Sequence, residues 1–216
     1  MTEEYNYNQI IRKDAKGCFV ESLRDFFKVG KIHLAFASYD VGLPSGQRQT
    51  NNIHIFIGVD ELQEICRKLY CGELQYMLKQ KKQSGDYNKP LLEWLGGTSA
   101  AKLAQRGQSR KDGKSLSRTA KLLAGKKSDF LFIADSGPGE QNAQGLIVPR
   151  FGGKPENHVS VSMTWDSLSE VFLLTKENYQ AWLSAKYLME MMLQQAELQQ
   201  QNRAVSSNKP VSGCRQ

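Results

Sequence analysis

Ile53-His-Ile-Phe-Ile-Gly-Val-Asp-Glu-Leu-Gln63 changes its hydrophobic period halfway along. Ile53, Ile55, Ile57 and Val59 alternate with His54, Phe56 and Gly58, the period-two mark of a strand with one buried face. Beyond Val59 the apolar positions shift to helical spacing at Leu62, Ile65, Cys66 and Leu69, as far as Gly72. Asp60 is predicted to cap this helix, with Gln63 three residues on completing a capping box.

Upstream of that junction three more short strands are predicted: Cys18 to Ser22, Asp25 to Val29 and Lys31 to Ser38. They are broken by Gly30 and by the Gly42-Leu-Pro-Ser-Gly46 loop. Four successive strands suggest an antiparallel sheet, and the helix completes a ββββα unit. Downstream the plan repeats, with strands at Phe130 to Ala134, Leu146 to Phe151, Val159 to Trp165 and Glu170 to Leu174. Gly137-Pro-Gly139 and Gly152-Gly153 read as turns.

Thr175 is then expected to cap a long helix whose core stripe is Tyr179, Trp182, Ala185, Met189, Met192 and Ala196. A rival parse starts that helix at Asp166, by analogy with Asp60. Val171-Phe-Leu-Leu-Thr175 is rich in strand formers, which favours the strand. The expected fold class is α+β: two ββββα repeats forming one domain, their antiparallel sheets packed against each other with the helices. The repeats occupy residues 1–78 and 128–193, with a polar, Gln-rich, disordered tail expected at 194–216.

Between the repeats, residues 79–127 carry thirteen Lys and Arg against three Asp and Glu, a net +10 where the whole chain carries +7. This segment is expected to be a basic, partly flexible connector, and such a concentration of charge favours a polyanionic partner. The polar, acidic start Met1-Thr-Glu-Glu-Tyr-Asn is unlike a signal peptide, and no run reaches the roughly 18 to 20 apolar residues of a membrane span. Cys18, Cys66, Cys71 and Cys214 lack the C-x-x-C spacing of a zinc site. A cytoplasmic protein with no membrane, metal or cofactor is the expectation.

Catalytic motifs do not assemble either. Gly107-Gln-Ser-Arg-Lys-Asp-Gly113-Lys114-Ser115 resembles a phosphate-binding P-loop, but five residues separate its glycines where the motif needs four, and no apolar strand precedes it. The acidic residues are scattered, and His33, His54 and His158 sit on strand-like segments without a nucleophile motif. The chain is expected not to be an enzyme.

The informative surface is the sheet face opposite the core. If Ile32, Leu34 and Phe36 point inward, then Lys31, His33, Ala35 and Ala37 point outward, and His54 and Phe56 join them from the next strand. Cations track phosphates while a ring stacks on any base, so such a face suits single-stranded nucleic acid. The bland alternative is that Phe56 packs under the connector or at a subunit interface, and that Lys31 and Arg48 are ordinary solvated charges.

The pattern resembles the Whirly family of single-stranded-DNA-binding proteins, which share a doubled ββββα fold with coactivators of the positive-cofactor-four type. Three stretches carry the likeness. Lys31-Ile-His-Leu-Ala-Phe-Ala-Ser38, a loop with Arg48-Gln49, and Ile55-Phe-Ile-Gly-Val-Asp-Glu-Leu62 are similar to the family's third strand, loop and strand-to-helix junction. Val171-Phe-Leu-Leu-Thr-Lys-Glu177, leading into Tyr179 and Trp182, resembles the second junction. Lys16-Gly17-Cys18 stands where the family carries a lysine-glycine-lysine strand, so the second lysine is replaced by Cys18.

The resemblance spans about residues 9 to 193, apart from much of the connector. It implies sheets packed roughly at right angles with helices inside, and tetramers that thread unpaired strands along outward sheet edges. The expected partner is single-stranded DNA, bound largely without regard to sequence, and a homo-oligomer is allowed. Expected contacts are Lys16, Lys28, Lys31, His33, Arg48, His54, Phe56, Arg110, Lys111, Lys114 and Arg118. RNA is one alternative, since cations and rings do not distinguish the sugars. A scaffold protein using its sheets and long helix as oligomer interfaces is the other.

Overall fold

A computed structural model describes residues 7–207, with side chains to residue 201. The protein is α+β, with two antiparallel sheets and four helices. In the first sheet β1 (Gln9–Ala15), β2 (Cys18–Leu23), β3 (Lys31–Tyr39) and β4 (Gln49–Gly58) lie side by side in chain order. Two helices follow, α1 (Val59–Tyr70) and α2 (Glu73–Ser84). In the second sheet β5 (Leu92–Thr98) pairs with β6 (Ser115–Ala124), and β6 with the long β7 (Phe130–Gln141). Strand β7 is flanked further by β8 (Ile147–Pro149) near its end and β9 (Asn157–Met163) along its start. Helix α3 (Ala100–Gln105) lies between β5 and β6, and α4 (Trp165–Ser207) ends the order.

The core forms where the apolar faces of these elements meet. Ile53, Ile55 and Ile57 of β4 are buried together with Ile32, Leu34 and Phe36 of β3, as their alternation requires. From the second sheet Leu122, Phe130, Phe132, Val159 and Val161 are buried, and the Phe36 ring meets Phe132 edge-on, centroids 4.8 Å apart. Leu62, Ile65, Cys66 and Leu69 bury the stripe of α1, and the Cys66 thiol donates to the Phe172 carbonyl of α4 at 3.6 Å.

Several local expectations are corrected. Asp25 to Val29 is no strand: Phe27–Val29 is a single 3-10 turn closed by Gly30 at φ 69°. Helix α1 is capped two residues earlier than expected, at Gly58, whose N–H donates to Glu61 Oε2 at 2.6 Å. Glycine has no side chain to return the bond, so only the glutamate half of the capping box exists. Gly137-Pro-Gly139 lies inside β7 instead of forming a turn. A Cβ on Gly139 would sit 2.7 Å from both Ile147 Cγ2 and Ser117 Cβ, so glycine here permits close approach of neighbouring strands.

The expected strand at Glu170 to Leu174 is helix, and the rival parse beginning near Asp166 describes the chain better. Thr164 Oγ1 accepts from the Ser167 N–H at 3.1 Å, holding the first turn of α4. Leu168, Val171, Phe172 and Thr175 are buried at helical spacing, which outweighs the strand propensity of the individual residues. Thr175 is no cap; its hydroxyl bonds Ser22 Oγ at 2.6 Å within the buried interior.

Residues 79–127, read as a connector, contain β5, α3 and β6. The described residues divide into two compact units, the first ending at Asn178 and the second beginning at Tyr179. In the second unit Met189 and Met192 are 65% and 62% exposed, so the stripe expected to be core is not core. Helix α4 continues to Ser207, past the expected fraying at Gln194; the rest of that tail, residues 208–216, lies outside the described residues. Among the described residues no helix is long and apolar enough to cross a membrane.

Candidate nucleic-acid interface

Strand β4 is an edge of the first sheet and β5 an edge of the second, and a cavity of about 530 Å³ opens where they meet. Phe26, Lys31, His54 and Phe56 line it from the first sheet and its 3-10 turn. Trp94 and Gly96 of β5, Arg118 of β6, and Arg106 with Gln108 after α3 line it from the second. Among the described residues three cations and no carboxylate face this space.

Local structure explains each group. His33 stands opposite Phe56, and Ala35 opposite His54, in the β3–β4 register, so the rings share one sheet face. Phe26 is carried to that face by the 3-10 turn and lies 4.6 Å from Phe56, centroid to centroid. Both rings keep an open side, at 38% and 39% exposure. Lys31 is exposed at the start of β3.

On the second sheet Gly96 pairs with Arg118, so both project from the same face. Gly96 has no side chain, and a Cβ there would meet only the Arg118 carbonyl at 3.8 Å, so space beside the guanidinium stays open. Arg118 Nη1 donates to Thr98 Oγ1 at 3.1 Å, and no carboxylate among the described residues pairs with it. Burial, and then the nearby Arg106 charge, push its pKa below the ordinary arginine value. An arginine kept half-buried without a counter-ion is costly to hold, and an entering anion relieves that cost.

Behind the rings runs a hydrogen-bonded chain. His33 is 5% exposed, with its Nδ1 2.9 Å from Asp25 Oδ1 and its Nε2 2.8 Å from His54 Nδ1. A carboxylate accepts only, so His33 carries its proton on Nδ1 and, when neutral, accepts at Nε2 from His54 Nδ1–H. His54 Nε2 then remains as the lone-pair nitrogen of a ring that lines the cavity. Burial foremost, then the neighbouring His33 and Arg118, hold the His54 pKa below the usual histidine value, opposed by Asp25.

Of the contacts expected from sequence, Lys31, His54, Phe56 and Arg118 therefore converge on one cavity. His33 is corrected from an outward contact to a buried support, since Phe26, Phe56 and His54 pack around it. Lys16, Lys28, Arg48, Lys111 and Lys114 are exposed but do not line this cavity. The Arg48 guanidinium donates instead to the Leu43 carbonyl at 3.1 Å. Arg110 is committed elsewhere, forking onto Asp112 and Glu156, and those carboxylates raise its pKa. Cys18 turns inward and donates to the Ser160 carbonyl at 3.1 Å.

Phe26, Arg106 and Gly96 escaped the sequence reading. Phe26 falls in the segment Asp25 to Val29 that the sequence suggests is a strand, and Arg106 is one charge among many in the basic segment. Comparison with protein-family models, with curated proteins and with solved structures finds no match for this chain.

Proposed function

We propose that this protein is a non-catalytic, largely sequence-independent binder of single-stranded DNA. The observation that carries the reading is the cavity where β4 meets β5, in which two partly exposed phenylalanine rings line the space with Lys31, Arg106 and an Arg118 that has no carboxylate partner among the described residues. Rings of this kind stack on any unpaired base, and the cations suit the phosphates on either side. Duplex DNA presents its bases stacked and paired, so it has no edge-free ring face to offer these phenylalanines.

The order of elements supports a Whirly-like plan. A meander of β1, β2, β3 and β4 precedes α1, and β5, β6, β7 and β9 likewise form a run of antiparallel neighbours before α4. In this reading the basic segment at 79–127 contributes Arg106 and Arg118 as part of the second run of strands.

Fluorescence anisotropy with labelled oligo-dT, an RNA oligomer of matched length and a duplex tests the proposal across a salt series. Tighter binding to the DNA single strand than to either competitor, weakening as salt rises, is expected. Equal or stronger affinity for the duplex overturns it, and a preference for the RNA moves the assignment to that polymer.

A further inference from the structure

The chain Asp25, His33, His54 ends in a ring nitrogen with no hydrogen-bond partner among the described residues, in a cavity whose other charged groups are all cations. With His33 neutral, the arrangement fixes which atom of His54 is free to change. His54 Nδ1–H is committed to His33, so an added proton enters at Nε2 without breaking either existing bond.

We propose that His54 is a proton-linked phosphate contact: a phosphodiester entering beside Arg118 is bound together with one proton, which settles on His54 Nε2 and is donated to a phosphate oxygen. This rests on the reading of the cavity as a nucleic-acid site and adds its regulation by pH.

The charges around His54 set the direction. Lys31 on β3, Arg106 after α3 and Arg118 on β6 line the same cavity and oppose a further positive charge. His33 sits behind the ring, Asp25 lies beyond it, and Glu21 of β2 lies across Ala35 in the same cross-strand row. In the free protein burial foremost, then His33 and Arg118, outweigh Asp25 and keep the ring neutral near pH 7. A bound phosphate neutralises the opposing guanidinium and offers an acceptor at Nε2, and both changes favour the protonated ring. The proton comes from solvent and returns to it on release.

The linkage sign follows from which state holds the proton. The complex holds it over a pH range in which the free protein does not, so affinity rises as pH falls through that window, by at most about tenfold per pH unit for one proton. His33 and His158 are the chain's other histidines, and His158 is exposed and bonded to Asp135 at 2.7 Å, away from the cavity.

The test is titration calorimetry of the whole protein with oligo-dT near pH 6.5, in buffers of different ionisation enthalpy, with anisotropy at several pH values. Uptake of close to one proton by the unaltered protein is expected. The pH slope should be lost in His54→Gln and kept in His158→Gln. No proton uptake, a slope that survives His54→Gln, or a slope lost in His158→Gln would each overturn the linkage while leaving the DNA reading standing. Absence of binding at every pH would remove both. The proton count on the unaltered chain decides the question even if His54→Gln folds poorly.

Discussion

His33 lies flat against Phe56, their ring centroids 4.6 Å apart and their planes 27° from parallel. His33 and Phe26 both pack on the phenylalanine, while part of the ring stays exposed where it lines the cavity. Pre-fixing a ring in this way lowers the rotamer entropy lost when a base stacks on it. Phe56→Ala is expected to weaken oligo-dT binding by about 1 to 3 kcal/mol, read by anisotropy. It should also change thermal stability less than truncating a core ring such as Phe132, which is fully buried.

Arg118 and Arg110 make a matched pair for separating binding from stability. Arg118 has no carboxylate partner among the described residues, whereas Arg110 forks onto Asp112 and Glu156. Arg118→Gln should cut affinity for oligo-dT and reduce the slope of log affinity against log salt by about 0.7, the release expected for one single-strand phosphate. Arg110→Gln should leave that slope unchanged and lower the melting temperature instead.

Gly96 keeps the cavity open. Its neighbour Gly97 has no such freedom, because a Cβ there would sit 2.2 Å from the Leu116 carbonyl. Gly96→Val is expected to fold, since β-branched residues suit strands and the first added carbon meets only ordinary contacts. The branched side chain then occupies space beside Arg118, and oligo-dT affinity should fall at least tenfold while the melting curve stays close to that of the parent. Gly97→Val, in contrast, should destabilise the protein in a melting experiment.

Protonation also bears on the free protein. The unfolded chain protonates His54 near about pH 6.5, whereas the folded chain does so only at lower pH, because burial and then His33 and Arg118 disfavour the charge. Below about pH 6.5 the unfolded state therefore holds more proton, and stability falls with pH across this window. Thermal melts between about pH 7.5 and 5.5 should show the decline, with less of it in His54→Gln and less again when oligo-dT is present.

The first sheet was legible where a single strong period controlled the residues. In β3 and β4 the isoleucines, Leu34 and Phe36 occupy alternate positions, and the chain has no other way to bury them. Strand β6 hid because its inner face is Ala120, Leu122 and Ala124 while Ser117, Thr119 and Lys121 alternate with them, giving a weak contrast in a run dominated by charge. Strand β1 hid for a similar reason, as Ile10 and Ile11 are adjacent and basic residues follow. The start of α4 was misread because Val171 and Phe172 favour strands locally, whereas their burial with Leu168 and Thr175 is a tertiary fact.

The candidate site was half legible. Alternation placed His54 and Phe56 on one face, and β3 added Lys31. What could not be read was the partner wall, because Arg106 and Arg118 come to the same cavity through the meeting of two sheet edges far apart in sequence. Nor does any local rule bury His33 behind Phe56, since that depends on the 3-10 turn delivering Phe26 from the side.

The two walls of the cavity belong to separate segments of the chain, at 26–56 and 94–118. An occupant therefore works as a rivet between layers that are otherwise joined mainly through their shared interior. Loosening either layer forfeits the guest, so occupancy should slow amide exchange in β4 and β6 together, and the molecule is hardest to pull apart when it is in use.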